Sequence, residues 1–303
     1  MDQSAEFLVF GATGQQGGAV ARALKAKGRK VRAFVRDPES GKARTLAAEG
    51  ISLIVGDLFD PASIDRAMAD IAGVFSVQTS SPAGEITDEQ EVWQGKAIAD
   101  SALRQGVRHL VYSSGGAAGK DPTGMGHFDS KSEIEAHVRS LPIKSTITRP
   151  ASFMEMMLLP GMGLPQGEFT FFMRPEQSMQ MIAVDDLGRI NAEILVAADR
   201  FDGKTIELAS ASVTGNDLER AFTAAAGRTI TYKRFSDELL AQNPFLNRLT
   251  ELLDSGLLAG AADIPSLEGE FGHLTSLDEW LDGQGKTLFK AAFVDDKAQV
   301  ALR

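Results

Sequence analysis

Hydrophobic and polar positions along residues 6 to 149 follow a pattern typical of a parallel sheet with helices on both faces. Short runs rich in β-branched residues alternate with longer segments whose apolar residues recur at helical spacing. The short runs predict six strands, which are "EFLVF" at 6–10, "KVRAFV" at 30–35, "SLIV" at 52–55, "VFSV" at 74–77, "HLVYS" at 109–113 and "STITR" at 145–149. The longer segments predict helices at 17–27, 42–49, 61–69, 89–105 and 127–140.

This order of elements predicts an α/β fold of the Rossmann type, a doubly wound parallel sheet made of two consecutive βαβαβ halves. We therefore expect a dinucleotide-binding domain over residues 1–150. Beyond Pro150 the alternation ends in a stretch rich in Met and Phe, "ASFMEMMLLPGMGLPQGEFTFFM", followed by a helix at "VDDLG" and a strand at "KTIELAS". We expect residues 151–303 to form a smaller α+β region that packs on the first domain and covers the substrate.

Composition and charge narrow the range of partners. The 303 residues are 43% hydrophobic and 24% charged, which is ordinary globular composition. A net charge of −10 opposes binding to phosphate backbones, so no nucleic acid partner is expected. The absence of cysteine excludes disulfides and thiolate metal sites, and we predict no metal. The first residues have no basic signal-peptide region, and no apolar run approaches the roughly 20 residues of a membrane helix, so we expect a cytoplasmic protein without a membrane partner.

The glycine-rich segment "VFGATGQQGG" follows the first strand and opens the first helix. In that context Gly11 permits a tight turn, Gly14 lets the backbone approach a pyrophosphate, and Gly17 allows close packing of the helix on the strand. The backbone N–H groups at the start of the helix then face the phosphates. A glycine turn without a ligand is the alternative, and the six βα units that surround this segment favour the dinucleotide site.

The end of the second strand indicates which dinucleotide is bound. Arg36 is the first residue after "AFV", where an arginine accommodates the 2′-phosphate of NADP. Asp37 follows directly and makes the local charge mixed, so Lys42 or Arg44 would have to help. The sequence therefore favours NADP, and a solvated charge at a strand end is the alternative for Arg36.

The ends of the third and fourth strands supply further candidate contacts. Asp57 and Leu58 in "VGDLFD" stand where an adenine is usually held, although Asp57 could equally cap the turn before Pro61. Gln78 and Thr79 in "VQTSS" are placed by the same positional argument beside the nicotinamide ribose.

The segment "HFDSK" at 127–131 is the candidate catalytic motif, because it stands where an ordinary short-chain dehydrogenase has Tyr-x-x-x-Lys. His127 and Lys131 are spaced i and i+4 and share a helix face, so Lys131 can hold the ribose. His127 could replace tyrosine as a proton donor, but a neighbouring lysine would lower its pKa and leave it neutral. Its alternative is a packing role at the helix start. For Ser113 and Ser114, a turn role is favoured over a catalytic one.

Five segments together resemble the NmrA-like family of atypical short-chain dehydrogenases, and within it the NADPH-sensing branch. They are the glycine loop, "EQEVWQGKAIADSALRQGVRHLVYSS", "HFDSKSEIEAHVRSL", "RPASFMEMM" and "TSLDEWL". The resemblance covers nearly the whole chain. It implies cofactor contacts from Gly11, Thr13, Gly14, Gln15, Gln16, Gly17, Arg36, Asp57, Leu58, Gln78, Lys131 and the segment from Phe153 to Met156.

The same resemblance implies two possible functions. The family includes NADPH-dependent reductases of quinones, triphenylmethane dyes and phenylpropanoid ethers, and also NADP-binding sensors that regulate a protein partner without established turnover. This sequence departs from the sensor branch at Glu39 and Ser40, where that branch has a basic residue, and at Trp93, where it has a lysine. Both departures remove positive charge near the phosphates.

The residues leave two functions open, and both suit a monomer or a homodimer. The first is an NADPH-dependent reductase that transfers hydride directly to a small quinone-like or aromatic carbonyl substrate. The second is a non-catalytic NADPH/NADP redox sensor with a protein partner. The methionines and phenylalanines of 153–181 suit a pocket for flat apolar molecules, which favours the reductase, while core packing is their alternative role.

Overall fold

The structure of the protein is a computed structural model that describes residues 5–78 and 86–293. In chain order the strands are β1 (Glu6–Val9), β2 (Lys30–Val35), β3 (Ser52–Val55), β4 (Ile71–Ser76), β5 (His109–Ser113), β6 (Ser145–Pro150), β7 (Ser152–Phe153), β8 (Glu168–Phe171), β9 (Ser178–Ile182), β10 (Thr205–Leu208), β11 (Ala211–Thr214) and β12 (Thr231–Arg234).

The helices are α1 (Gln15–Ala26), α2 (Gly41–Ala48), α3 (Pro61–Ala67), α4 (Asp88–Arg104), α5 (Gly126–Ser140), α6 (Val184–Val196), α7 (Ala198–Phe201), α8 (Gly215–Ala226), α9 (Asp237–Gln242), α10 (Pro244–Asp254), α11 (Ile264–Phe271), α12 (Leu277–Asp282) and α13 (Lys286–Ala292). Two short 3-10 helices lie at Met154–Leu158 and Leu164–Gln166.

The six strands and five helices predicted before Pro150 are all present, with small differences at their ends. The largest difference is β4, which begins at Ile71 and not at Val74. Gly73 interrupts the apolar pattern of the sequence, yet it lies inside β4. Glycine suits this position because a Cβ there would come to 3.0 Å from the Phe7 ring. Glycine thus makes room for an aromatic side chain of β1.

The chain forms two units, of which the first contains Met1–Arg149 and Val184–Ile206 and the second Pro150–Ala183 and Glu207–Arg303. The sequence placed all of 151–303 in the second region, whereas 184–206 packs with the first. The physical reason is the contact of α6 with α1, which brings Gly188 against the backbone of Ala19.

The sheet of the first unit has the strand order β10-β6-β5-β4-β1-β2-β3. Strands β1 to β6 pair in parallel. Starting from β3, their order is 3-2-1-4-5-6, the strand order of a doubly wound dinucleotide-binding fold. The predicted Rossmann-type fold is confirmed. Its switch point, where the chain direction across the sheet reverses, lies between β1 and β4.

The helices of this unit begin at well-formed caps and close over an apolar core. Asp60 accepts a hydrogen bond from the Ala62 N–H at the start of α3. Thr87 and Gln90 form a reciprocal capping box at the start of α4. The core between the sheet and α3, α4 and α5 is formed by buried residues that include Leu8, Phe10, Ile64, Val74, Ile98, Leu110, Tyr112, Ile134 and Val138.

The second unit contains the three-stranded sheet β11-β9-β7 and the two-stranded sheet β12-β8. Its core takes up most of the methionines of the Met-rich segment, since Met154, Met157, Met162, Met173, Met179 and Met181 are buried. Met156 differs from them and is 37% exposed. Core packing is therefore the observed role of six of these seven side chains.

None of the helices in the described ranges 5–78 and 86–293 combines the length and the apolar character needed to cross a bilayer.

The contact between α1 and α6 generates a prediction about stability. A Cβ at Gly188 would lie 2.6 Å from the Ala19 carbonyl carbon, so Gly188→Ala must push the two helices apart. We expect the free energy of unfolding to fall by about 1–3 kcal/mol in urea denaturation, the usual cost of overpacking. Gly41→Ala is the matched control in the same unit, because nothing lies within 4 Å of a Cβ there. Equal effects of the two substitutions would contradict the prediction.

Candidate functional site

The candidate site residues of the first unit lie along the carboxyl edge of its sheet. The loops that follow β1, β2, β3 and β4 all leave the sheet at this edge, because the strands are parallel. In open α/β sheets ligands bind at this edge, beside the switch point.

The glycine loop after β1 is held so tightly that side chains are excluded from it. Gly11 has a φ of 65°, and a Cβ there would lie 2.7 Å from Cγ1 of Val77. A Cβ at Gly17 would lie only 2.4 Å from the Gly11 carbonyl oxygen. The loop can therefore keep its shape only with glycine at both positions.

The start of α1 provides a binding surface for an anion. Gly14 is the N-cap in an extended conformation, no side chain caps the helix, and no acidic residue lies in its first turn. Gly14 and Gln15 are exposed, and Thr13 is half-buried in the turn before them. The uncapped amides and the helix dipole favour negative charge at this point, so the cradle fits a pyrophosphate.

Gln16 joins the first turn of α1 to the end of β5. The Ser113 hydroxyl donates a hydrogen bond of 2.7 Å to Oε1 of Gln16. Ser113 is buried, and this contact gives it a structural role in keeping with the turn role favoured from the sequence.

Arg36 is exposed at the end of β2 and makes no hydrogen bond or ion pair to any described residue. The Asp37 carboxylate beside it is engaged locally, since its Oδ1 accepts a hydrogen bond of 2.9 Å from the Glu39 N–H. The Asp37 carboxylate therefore has a local partner in the turn, and its negative charge stays beside the Arg36 guanidinium, which has no protein partner among the described residues.

The two departures from the sensor branch have structural explanations. Ser40 caps α2 by accepting a hydrogen bond from the Ala43 N–H. Trp93 on α4 is 42% exposed and stacks on Phe59, with ring centroids 5.7 Å apart. An aromatic pair therefore stands where that branch has a charge. The supporting cations, Lys42 and Arg44, are exposed on α2.

Asp57 has a definite role in the turn after β3. Its Oδ1 accepts a hydrogen bond of 2.9 Å from the Phe59 N–H, and the Ser63 hydroxyl bonds to the Asp57 backbone. This geometry matches the capping alternative, and it leaves the other carboxylate oxygen at the exposed edge. Leu58 is partly buried against the core.

Gln78 is a buried side chain with unused hydrogen-bonding capacity. Its Nε2 donates a hydrogen bond of 2.8 Å to the Ser76 hydroxyl, while its Oε1 has no partner among the described residues. A buried acceptor without a partner is costly, so a hydrogen-bond donor from a ligand would satisfy it. The neighbouring candidate Thr79 lies outside the described residues.

His127 is the second residue of α5, after Met125 at the N-cap. Burial lowers the pKa of His127 to about 4, with the Lys131 cation as the next cause. The ring also packs on Phe128, with centroids 4.1 Å apart. His127 is therefore neutral at pH 7 and can supply one N–H donor. The sequence identified only the lysine as a cause, and the larger cause, burial, comes from the structure.

Lys131 forms a buried ion pair that was not predicted from the sequence. Its Nζ donates to Oε1 of Glu91 on α4, and the Ser130 hydroxyl donates a hydrogen bond of 2.9 Å to Oε2 of the same carboxylate. Glu91 is 1% exposed and Lys131 9% exposed. Two N–H donors of the ammonium group remain beyond this pair.

A signal for Glu91 exists in the sequence, although it is easily missed. Glu91, Gln94, Gly95 and Ile98 are spaced i, i+3, i+4 and i+7, and all four are buried on one face of α4. A carboxylate on the inner face of a helix requires a cation opposite, and Lys131 is that cation.

The remaining predicted contacts, Phe153 and Met156, belong to the second unit. Phe153 ends β7 and is half-buried, and Met156 lies in the 3-10 helix that follows. No group of three His, Asp or Glu side chains within residues 5–78 and 86–293 is placed to hold a metal ion.

The Glu91–Lys131 pair generates a prediction about stability. Glu91→Gln removes the carboxylate and leaves a buried ammonium group without its counter-charge. We expect the free energy of unfolding to fall by about 3–5 kcal/mol, measured by denaturant titration. Adding Lys131→Met to this variant removes the stranded charge and should recover most of the loss. If the double variant is no more stable than the single one, the pair does not have this energetic role.

The pKa of His127 generates a prediction about pH dependence. Because the folded state holds this pKa at about 4, below the ordinary 6.5, His127 contributes to stability above pH 6.5, and the contribution is lost as the pH falls towards 4. We expect the His127 C2 proton to show no NMR titration step near pH 6.5. Unfolding of His127→Gln should depend less on pH between 6.5 and 4 than that of the wild type. A titration step of His127 near 6.5 would refute the half-buried, neutral ring.

Known proteins resemble this chain in sequence and in fold. It is 30% identical over 257 residues to the NmrA-like family domain-containing oxidoreductase malD of Malbranchea aurantiaca, covering 75% of this chain and 74% of that protein. It is 27% identical over 276 residues to an NAD(P)H azoreductase of Xenophilus azovorans, covering 86% of this chain and 92% of that protein.

Among solved structures, NmrA, a negative transcriptional regulator crystallised with NADP, has the same fold. The TM-score is 0.78 at 21% identity, and the match covers 96% of this chain and 98% of that one. The model of the NmrA-like family matches residues 3–281, so the chain belongs to the NmrA-like family.

Proposed function

We propose that the protein is an NADPH-dependent reductase of quinone-like or aromatic carbonyl substrates. The observation that carries the proposal is the carboxyl edge of the first sheet. An uncapped glycine-loop helix, an exposed Arg36 and the neutral donor His127 with Lys131 one turn further along α5 all belong to this edge.

The residues of the first unit can each be assigned a part of the cofactor. The backbone from Gly11 to Gly17 would hold the pyrophosphate, because it combines uncapped helix amides with an exposed Gly14 that has no side chain to block their approach. Asp57 and Leu58 would face the adenine. Gln78, whose Oε1 lacks a partner among the described residues, and Lys131 would bind the nicotinamide ribose.

Arg36 supports NADP over NAD. Its guanidinium can form paired hydrogen bonds with a 2′-phosphate, whereas NAD has a neutral hydroxyl at that position. Asp37, the acid that would otherwise favour NAD, is held by the turn through the Glu39 N–H.

The chemistry requires little from the protein beyond orientation. NADPH, when bound, supplies a hydride, and a carbonyl substrate also takes up one proton. The neutral His127 can donate one hydrogen bond to the substrate oxygen, which stabilises the negative charge that develops there, and the proton then comes from water. A quinone leaves a delocalised phenolate, a much weaker base than an alkoxide, so a weak donor is sufficient. A weak donor therefore favours quinones over simple aldehydes as substrates.

The similarities to known proteins support a reductase. One similar protein is named an oxidoreductase, and another is an NAD(P)H azoreductase whose substrates contain the N=N bond. Azo compounds and quinones share a conjugated acceptor that takes a hydride without a strong acid. That common chemistry makes a conjugated aromatic acceptor the substrate class to test.

The second candidate function is an NADPH/NADP redox sensor that regulates a protein partner. Burial of six methionines in the core of the second unit favours it, because these side chains are then unavailable to line a substrate pocket. A regulator with the same fold binds NADP, which gives this alternative a precedent.

The deciding experiment is a single-turnover assay that follows loss of NADPH absorbance on adding a naphthoquinone, an azo dye or an aryl aldehyde. We expect oxidation with the first two. Arg36→Ala should weaken NADPH binding by about tenfold to a hundredfold, the loss of a charged hydrogen bond, and leave NADH binding unchanged. Lys30→Ala is the control, since this exposed lysine lies at the opposite end of β2.

The outcomes separate the two functions. Tight NADPH binding without oxidation by any acceptor would overturn the reductase and favour the sensor, which cofactor-dependent binding of a partner would then test. Absence of NADPH binding would overturn both.

A further inference from the structure

A second concave site lies in the first unit, at the amino edge of its sheet. It is an open cleft of about 690 Å³, within the range of small-molecule sites. The starts of β1 and β4, the residues before β2, β5 and β6, and the segment from the end of α6 through α7 form its walls. The glycine loop follows the other end of β1, so the cleft is distinct from the candidate cofactor site.

The walls of the cleft are largely apolar. Ala72, Val196 and Ala198 are half-buried residues of this lining, and the buried Phe7 and Leu195 stand behind them. A wholly polar ion would leave this surface in contact with water. The lining therefore suits a ligand with an apolar body.

Four basic side chains from four separate segments also line the cleft. Arg29 precedes β2, Arg108 precedes β5, Lys144 precedes β6, and Arg200 lies on α7. Asp199 is the one acidic residue among the lining residues, and it pairs with Lys144. The lining is thus net positive in a chain of net charge −10, which favours an anion in the cleft. Within the protein the Arg200 guanidinium already lies 5.3 Å from the centroid of the Phe201 ring.

The buried histidine near the cleft adds no charge to it. His109 forms a hydrogen bond of 2.9 Å through Nε2 with the Thr146 hydroxyl, which donates its own proton to the Phe201 carbonyl. Nε2 of His109 therefore carries the hydrogen. Burial lowers the pKa of His109 to about 4, so the ring is neutral and the positive potential of the cleft comes from the arginines and the lysine.

We propose that this cleft binds a small organic carboxylate with a flat apolar body, such as an aryl carboxylate. Guanidinium groups bind carboxylates through two parallel hydrogen bonds, and the cleft has three arginines. The apolar walls take the ring, and the carboxylate lies at the basic side chains. The ligand needs both its apolar body and its carboxylate, because the lining has an apolar part and a basic part.

Arg108 is the side chain on which the test depends. It is exposed and makes no hydrogen bond or salt bridge within the described ranges, so its removal strands no buried partner. Ala198→Trp provides an independent variant that fills the cleft without changing charge. Arg248→Ala is the control for loss of an arginine elsewhere, because Arg248 belongs to the second unit, where it pairs with Glu251, and it does not line the cleft.

The experiment is isothermal titration of the full-length protein with 2-naphthoate, with and without saturating NADP⁺. We expect binding that is unchanged by NADP⁺, at least tenfold weaker in Arg108→Ala and in Ala198→Trp, and unchanged in Arg248→Ala. The neutral analogue 2-naphthalenemethanol and inorganic phosphate should each bind at least tenfold more weakly than 2-naphthoate, since each satisfies only half of the lining.

Several results would overturn the proposal. Failure of 2-naphthoate to bind would do so, as would equal affinity in the wild type, Arg108→Ala and Ala198→Trp. Displacement by NADP⁺ would assign the ligand to the carboxyl edge of the sheet. Phosphate binding as tight as that of 2-naphthoate would contradict the carboxylate class. Circular dichroism of each variant confirms that a lost affinity is not lost folding.

Discussion

The architecture of the first unit depends on how closely α1 approaches backbone on two sides. At its start, Gly17 lies against the Gly11 carbonyl, and further along, Ala19 lies against Gly188 of α6. No side chain larger than the Ala19 methyl group separates these elements, so this close contact fixes the position of α1. This constraint holds the helix amides at the end of β1, and it also draws the distant segment 184–206 into the first unit.

Much of the fold was predictable because local patterns encode it. The strands before Pro150 are apolar runs between helical segments, and helix starts such as Asp60-Pro61 carry their own capping chemistry. The membership of α6 was not predictable in this way. The sequence of an amphipathic helix shows that one of its faces is buried, but not against which sheet. For α6 the packing partner is determined by the space that Gly188 leaves for α1.

The candidate site likewise combines residues that the sequence identifies with contacts that only the structure shows. Gly11, Gly17 and Arg36 could be located because their positions are counted from strand ends. Glu91 could not be assigned to Lys131 from sequence, since the two are 40 positions apart, and the link between Gln16 and Ser113 spans 97. The interpretation of the Met-rich segment also needed the structure, because soft side chains suit a pocket and a core equally well.

The stacked pair of Trp93 and Phe59 has a consequence for spectroscopy. The chain has two tryptophans, and Trp280 is fully buried while Trp93 is 42% exposed at the end of the sheet where adenine would bind. Their emission should therefore separate, with the redder component coming from Trp93. Under the proposed function, Trp93 is therefore an intrinsic fluorophore whose quenching would report occupancy of the adenine end in real time, without a label and without any chemical turnover.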